Sequence, residues 1–340
     1  MRSLPRFALT CAALLTLPVL PVALAPAAEA HRPINGFSSS GPWNTKLPKH
    51  VPLAPNSAAI VQNLKLDHDD YFGWNLNTDE YSTPIYQVGR HTPRKRWTFS
   101  DCLGLPELAP VIADSLAAVP TPDGMIVSKG TDESVTIYQP STDTYWDFWR
   151  AEQDAQGDWS ACWGGKIEHY SRNPGIFPNP LGATATGLPL GAFTIRIDEL
   201  RRGRIDHALN IATVHTRANC NSWPASRNDG NTDGPDYPCE GQRFRLDPAF
   251  DVNTLLSPAS RTMARAMQEY GLIVTDKAGA LVTYAEDPRL EMARNGGIDP
   301  YIQLIDPDNL VPDGSEKYAV LYQIPVDRLQ ALPMDYGKPR

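Results

Sequence analysis

The usual marks of several enzyme classes are missing from this sequence. It has no G-x-S-x-G elbow and no H-E-x-x-H pair, which sets aside the serine hydrolases and zinc peptidases that those motifs mark. The glycine pairs Gly164-Gly165 and Gly296-Gly297 sit in no phosphate-loop pattern. Positive charge is in deficit: 31 Lys and Arg stand against 39 Asp and Glu, a net charge of −8. Phosphate binding needs concentrated positive charge, so this balance argues against nucleic acid as a partner. Beyond residue 25 no apolar run approaches the ~20 residues of a membrane-spanning helix. There is no internal repeat, low-complexity linker or coiled-coil heptad run.

What is there begins with a leader. Arg2 and Arg6 form a basic start, residues 7–25 an apolar run broken by Pro18 and Pro21, and Ala28-Glu29-Ala30 a small-x-small cleavage site. This pattern predicts a secretory signal peptide over 1–30 and an exported chain beginning at His31. Four cysteines follow it, and an even number in an exported chain predicts two disulfides. Sequence allows three connectivities, and closeness favours Cys220 with Cys239, leaving Cys102 with Cys162.

Residues 31–58 hold five prolines and no periodicity, which predicts an irregular lead across the surface. A single β-rich domain is expected over 59–340. "SVTIYQPSTDTYWDFW" predicts two strands joined by a turn at Pro140-Ser141-Thr142-Asp143. "AFTIRI" alternates Phe193, Ile195 and Ile197 with polar residues, as a half-buried strand does. "HALNIATV", "QRFRL", "LIVTD" and "ALVTY" read as further strands. One clear helix interrupts them, capped by Ser257, opened by Pro258 and closed near Gly271. Many short strands and one short helix predict a mainly β fold, a β-sandwich or jelly roll with the helix packed on it.

Several ordered blocks carry a resemblance: "YQPSTDTYWDFW", "WGGKIEHYSRNPG", "ATATGLPLGAFTIRIDELRRGRIDHAL", "SWPASRNDG" and "GQRFRLDP". Over about half of the expected mature chain it resembles a family of secreted bacterial proteins, common in actinobacteria. The resemblance brings no activity with it. It does imply a departure, because relatives have His and Glu where this chain has Ser134 and Asp147.

Three groups of residues are candidates for chemistry. "DGNTDGPDYPCE" places Asp229, Asn231, Asp233 and Glu240 at positions 1, 3, 5 and 12 of a calcium-loop pattern, with Gly234 at 6 and the Pro235 carbonyl at 7. Prolines around it oppose flanking helices, so the expectation is a helix-free calcium loop clamped by Cys220 and Cys239, or else a solvated loop without an ion. A polar sheet face is the second group. Tyr145, Asp147 and Trp149 on one strand, Arg196 and Asp198 on another, and Arg243 and Arg245 on a third would share one surface if the strands lie in one sheet. With Trp163 they would offer aromatic faces and fixed polar groups to a sugar. The alternation also makes Trp146 and Phe148 share the face opposite Trp149, so at least one Trp belongs to the core.

The third group is "IDELRRGRIDHAL". It concentrates Asp198, Glu199, Asp206 and His207, and glycoside hydrolysis needs two carboxylates. A lyase would use His207 as base and Arg196 to neutralise a substrate carboxylate. A plain reading makes these surface ion pairs and a satisfied buried histidine. The sequence therefore points to a secreted carbohydrate-active protein, a hydrolase or lyase on extracellular or cell-wall glycan, with calcium as the cofactor candidate. The competing expectation is a non-catalytic, lectin-like or cell-surface module.

Overall fold

The computed structural model describes residues 36–305 and 317–340, so the expected leader lies outside the described residues. Thirteen strands form among them. In chain order they are β1 (Trp74–Asn77), β2 (Ile85–Gln87), β3 (Arg94–Lys95), β4 (Thr98–Phe99), β5 (Val119–Pro120), β6 (Val135–Gln139) and β7 (Thr144–Gln153). β8 (Trp159–Glu168), β9 (Leu209–Thr213), β10 (Arg243–Leu246), β11 (Leu272–Lys277), β12 (Leu281–Tyr284) and β13 (Leu329–Ala331) complete the set. The helices are α1 (Ser57–Asp70), α2 (Ala109–Leu116), α3 (Leu190–Phe193), α4 (Ile197–Arg202), α5 (Pro258–Glu269), α6 (Arg289–Met292) and α7 (Tyr301–Ile305).

Two mixed sheets carry the fold. A six-stranded sheet runs β1-β12-β9-β11-β10-β13 and a five-stranded sheet β2-β6-β7-β8-β4, with β3 and β5 paired separately. The turn at 140–143 joins β6 to β7 as an antiparallel hairpin, with Asp143 in the left-handed region at φ 49°. β11 and β12 are not neighbours, because β9 lies between them.

Alternation along the strands sorts apolar side chains into three layers. Leu209, Ile211, Phe244, Leu246 and Val274 face α1 and α5. The opposite face of the same sheet offers Ala212, Ile273 and Val282 to Tyr138, Tyr145 and Ile167 of the five-stranded sheet. The far face of that second sheet packs Val135, Ile137, Trp146 and Phe148 under α2 and Trp97. The protein is thus a mainly β, sandwich-like fold, and Trp146 is core at 2% exposure.

Ser257 caps α5 by accepting from the Ala259 and Ser260 N–H groups, as its sequence signals require. The strand expected over 193–197 is absent. α3 ends at Phe193, Ile195 makes a single bridge to Ala285, and α4 begins at Ile197. The cause is local: the Glu199 carboxylate accepts the Arg196 N–H at 3.0 Å, closing a helical cap, and Gly203 ends the helix at φ 66°. Phe193, Ile195 and Ile197 are still all buried, so their alternation marks burial rather than a strand. α1 adds a helix that the strand-rich reading does not contain. Its Ile60, Val61, Leu64 and Asp67 are buried at helical spacing.

The lead is embedded rather than draped. Trp43 is fully buried and donates its indole N–H to the Gly175 carbonyl at 2.8 Å. Its own carbonyl accepts from Ala208, and Leu47 donates to Glu269 at the end of α5.

Candidate active-site cleft

A cleft of about 560 Å³ is lined by residues of both sheets and of the loops beside them. The five-stranded sheet supplies Ser134, Trp149 and Trp163, and the six-stranded sheet supplies Asp276, Lys277 and Tyr284. Asp132 lies just ahead of β6 on the same wall, and Arg227, Asn228 and Asp229 come from the loop after Cys220. Both disulfides border it. Cys102–Cys162 ties the segment bearing Leu103 to β8 beside Trp163, and Cys220–Cys239 closes the loop bearing Asp229.

Hydrogen bonds fix the aromatic wall. Trp149 donates to Asp132 at 3.2 Å and Trp163 to the Pro180 carbonyl at 3.2 Å. Arg227 donates to the carbonyls of Leu181, Gly182, Thr184 and Ala185, which holds the loop opposite. Asp276 reaches this wall through a bulge. β11 pairs with β9 as Val274 with Ile211 and then Asp276 with Ala212, leaving Thr275 extra. Strict alternation would have turned Asp276 towards the helix-side core with Val274. The extra residue turns it to the other face.

The electrostatics of the cleft are those of crowded carboxylates. Burial first, then the Asp229 and Asp132 carboxylates, push the Asp276 carboxyl up to about 7, against the N–H groups of Ala185 and Lys277. Burial also raises Asp132, against the bond from Trp149. Asp276 retains some accessible surface in the cleft wall, yet protein surrounds it on most sides. A carboxyl titrating near neutrality can both give and take a proton, which is what general acid–base chemistry needs.

The sequence candidates disperse. Trp149, Trp163 and Asp229 line the cleft; Arg196, Asp198, Glu199 and His207 do not. Asp198 is on the surface beside Arg201, and Asp206 accepts from Arg204 at 2.6 Å. Glu199 and His207 are buried together, with His207 Nε2 at 3.1 Å from the carboxylate and Nδ1 at 2.9 Å from the Ala208 carbonyl. Arg196 makes a two-point ion pair with Glu286 at 2.9 and 3.1 Å. This cluster closes on itself and pins α4 to the segment after β12.

The polar face imagined for three strands in one sheet does not form, because β7 and β10 lie in different sheets and 196–198 is no strand. Tyr145 is fully buried, stacked on Tyr170 at 5.3 Å, and donates to Asp147 at 2.7 Å. Asp147 is fully buried between the sheets, where it accepts from Thr136 and from the Leu190 N–H. Burial pushes its carboxyl up to about 7 against those three bonds. Arg243 and Arg245 project from the far end of the six-stranded sheet and hold the lead, donating to the carbonyls of Thr45, Pro48 and Lys49. Asp132, Asp276 and Arg227 went unseen in the sequence, since neither turn nor bulge has a periodic signature.

The 229–240 loop spends its oxygens on protein. Asp229 pairs with Lys277 at 2.7 Å, Asn231 accepts from Thr216 and Thr232, and the Pro235 carbonyl accepts from Asn56 at 2.8 Å. Asp233 is exposed. Glu240 is fully buried, accepts from Thr216 at 3.2 Å, and is held well above the carboxylate range by burial and a hydrogen bond with Asp229. Among the described residues no three His, Cys, Asp or Glu side chains converge as a metal site.

No protein-family profile matches the chain, and neither a curated protein nor a solved structure is similar to it.

Proposed function

We propose that the protein is an exported glycan hydrolase whose active site is the cleft between Trp149, Trp163, Asp132 and Asp276. The observation that carries this reading is two crowded carboxyl groups, both raised, on the wall of a cleft whose two indoles are orientated by hydrogen bonds. The indole faces stack on the C–H faces of a sugar ring. Asp276, which keeps its proton near neutrality, protonates the leaving glycosidic oxygen. Asp132 takes the proton of the attacking water, completing the two-carboxylate arrangement. Two disulfides and the leader pattern support export, and a cell-wall or extracellular polysaccharide is the substrate class.

Calcium enters this reading only on stated terms. To occupy the 229–240 loop it must displace Lys277 from Asp229 and the proton from Glu240.

The test is release of reducing ends from a panel of bacterial and plant polysaccharides by the wild-type protein, Asp276→Asn and Trp149→Ala. Asp276→Asn should lower turnover about 10²- to 10⁴-fold with binding retained. Trp149→Ala should weaken binding up to about tenfold. Glycan binding without any product from the wild type would leave a lectin-like module. Neither binding nor product would remove the reading altogether.

A further inference from the structure

Arg243 of β10 has a property that holding the lead does not explain. Arg243 is 4% exposed and lines a second cavity of about 360 Å³, walled by Thr45, Lys46 and Pro48 of the lead, by Trp223 and by Tyr336. Its guanidinium donates from Nε and Nη2 to the Tyr270 carbonyl and from Nη2 to the Thr45 carbonyl. Gly271, at φ 82°, lets the chain after Tyr270 lie close against β10, because a Cβ there would sit 2.3 Å from the Phe244 carbonyl oxygen. The third nitrogen, Nη1, has no hydrogen-bond partner among the described residues, and no carboxylate pairs with the side chain. The nearby Asp335 is committed elsewhere, accepting from the Trp223 N–H at 2.7 Å and facing Lys338 at 3.3 Å. Lys46, at the rim, pairs with Glu269.

An uncompensated buried charge is costly, and an arginine cannot escape the cost by losing its proton at neutral pH. Burial lowers the Arg243 pKa only to about 10, so it stays charged. Two of its nitrogens are held by carbonyls, so its orientation is set before any ligand arrives. Arg243 borders a space large enough for a small molecule, with an indole and a phenol on the walls.

We infer that this cavity is an anion site, in which Arg243 binds the carboxylate or phosphate group of a small ligand and Trp223 and Tyr336 contact its body. Guanidinium groups match both oxyanions geometrically, and charge-assisted bonds of this kind are among the stronger ones. Lys46 stands on the same wall, where a bound anion competes with Glu269 for its ammonium group. The site is separate from the cleft: no residue lines both.

The experiment is titration of the wild-type protein with phosphate, acetate and glucuronate at constant ionic strength, with glucose as the neutral control, read by calorimetry and by the ¹⁵N resonances of labelled arginine side chains. At least one of the three anions should bind and move the Arg243 resonance, and glucose should not. A preference for glucuronate over acetate marks a sugar acid, and a preference for phosphate marks a phosphorylated ligand. Arg243→Gln should raise the Kd at least tenfold, and Lys46→Ala, which leaves the core untouched, about two- to threefold. No binding by any of the three anions overturns the assignment, as does binding that leaves the Arg243 resonance still. Equal affinity in a folded Arg243→Gln overturns it too. If Arg243→Gln does not fold, the wild-type resonance and Lys46→Ala decide: a still resonance, or an unchanged Kd in Lys46→Ala, overturns it.

Discussion

Two clusters in this protein use the same kinds of side chain for opposite ends. Around His207, the Glu199 carboxylate, Arg196 and Glu286 pair with one another and with the start of α4, Glu199 and His207 buried and Arg196 and Glu286 partly buried. Around the cleft, Asp132, Asp276 and Asp229 crowd together beside only Lys277 and an Arg227 already tied to carbonyls. In the first cluster opposite charges compensate and burial is tolerated, with only Arg196 Nη1 left without a hydrogen-bond partner among the described residues. In the second, burial first and then the neighbouring carboxylates raise the Asp276 carboxyl, and burial raises that of Asp132. Residue type is the same in both. Whether the charges are compensated separates a staple from a candidate site.

The sharpest way to break this comparison is at the cleft, where Asp276→Asn should remove nearly all turnover while leaving unfolding cooperative. Loss of turnover equal in Glu199→Gln at full stability would instead return the chemistry to the α4 segment. The second effect is on stability. Glu199→Gln leaves His207 and Arg196 with a weakened partner and should cost ~3–5 kcal/mol in denaturant unfolding, as breaking a buried ion pair does. The cleft variant should cost far less, and a cost of similar size in Asp276→Asn would erase the distinction.

The dependence on pH separates the clusters further. Burial alone would lower the His207 pKa, but the Glu199 carboxylate raises it above 6.5, and the same pairing holds Glu199 below 4.5. The stability from this pair is therefore fully present between pH 4.5 and 6.5. It is lost as pH falls through the Glu199 value or rises through that of His207. Asp276 behaves oppositely, since its raised pKa means that the folded state loses stability as pH rises from 3.8 to about 7. Unfolding measured from pH 5 to 8.5 should show Asp276→Asn gaining on the wild type as pH rises. The deficit of Glu199→Gln should shrink over the same range. Parallel curves for both variants would refute the contrast. The smallest effect concerns the loop: any rise in melting temperature with millimolar calcium should be larger at pH 9 than at pH 6 and absent in Asp229→Ala, because the ion competes with the Glu240 proton.

Much of the architecture was legible. β-Branched and aromatic residues around a turn placed β6 and β7, period-two alternation placed β9 and β10, short apolar runs placed β11 and β12, and Ser257 with Pro258 located α5. Closeness in the chain favoured the two disulfides that form. Alternation failed at 193–197, where a three-residue cap from Arg196 to Glu199 outweighed it. Of the candidate residues, Trp149, Trp163 and Asp229 reach the cleft, while Tyr145 and Asp147 stand on the same strand as Trp149 but under the sheet-to-sheet layer.

The sequence by itself determined where the apolar layers run, because burial of an apolar side chain follows from its repeating at the period of its own backbone. Only the tertiary structure decided which polar residues face a cleft. Asp276 is turned there by one extra residue in β11, and Asp132 faces the same cleft from the loop ahead of β6, far away in the chain. Such a meeting depends on how two sheets pack face to face, which is a property of their mutual fit and not of any local period.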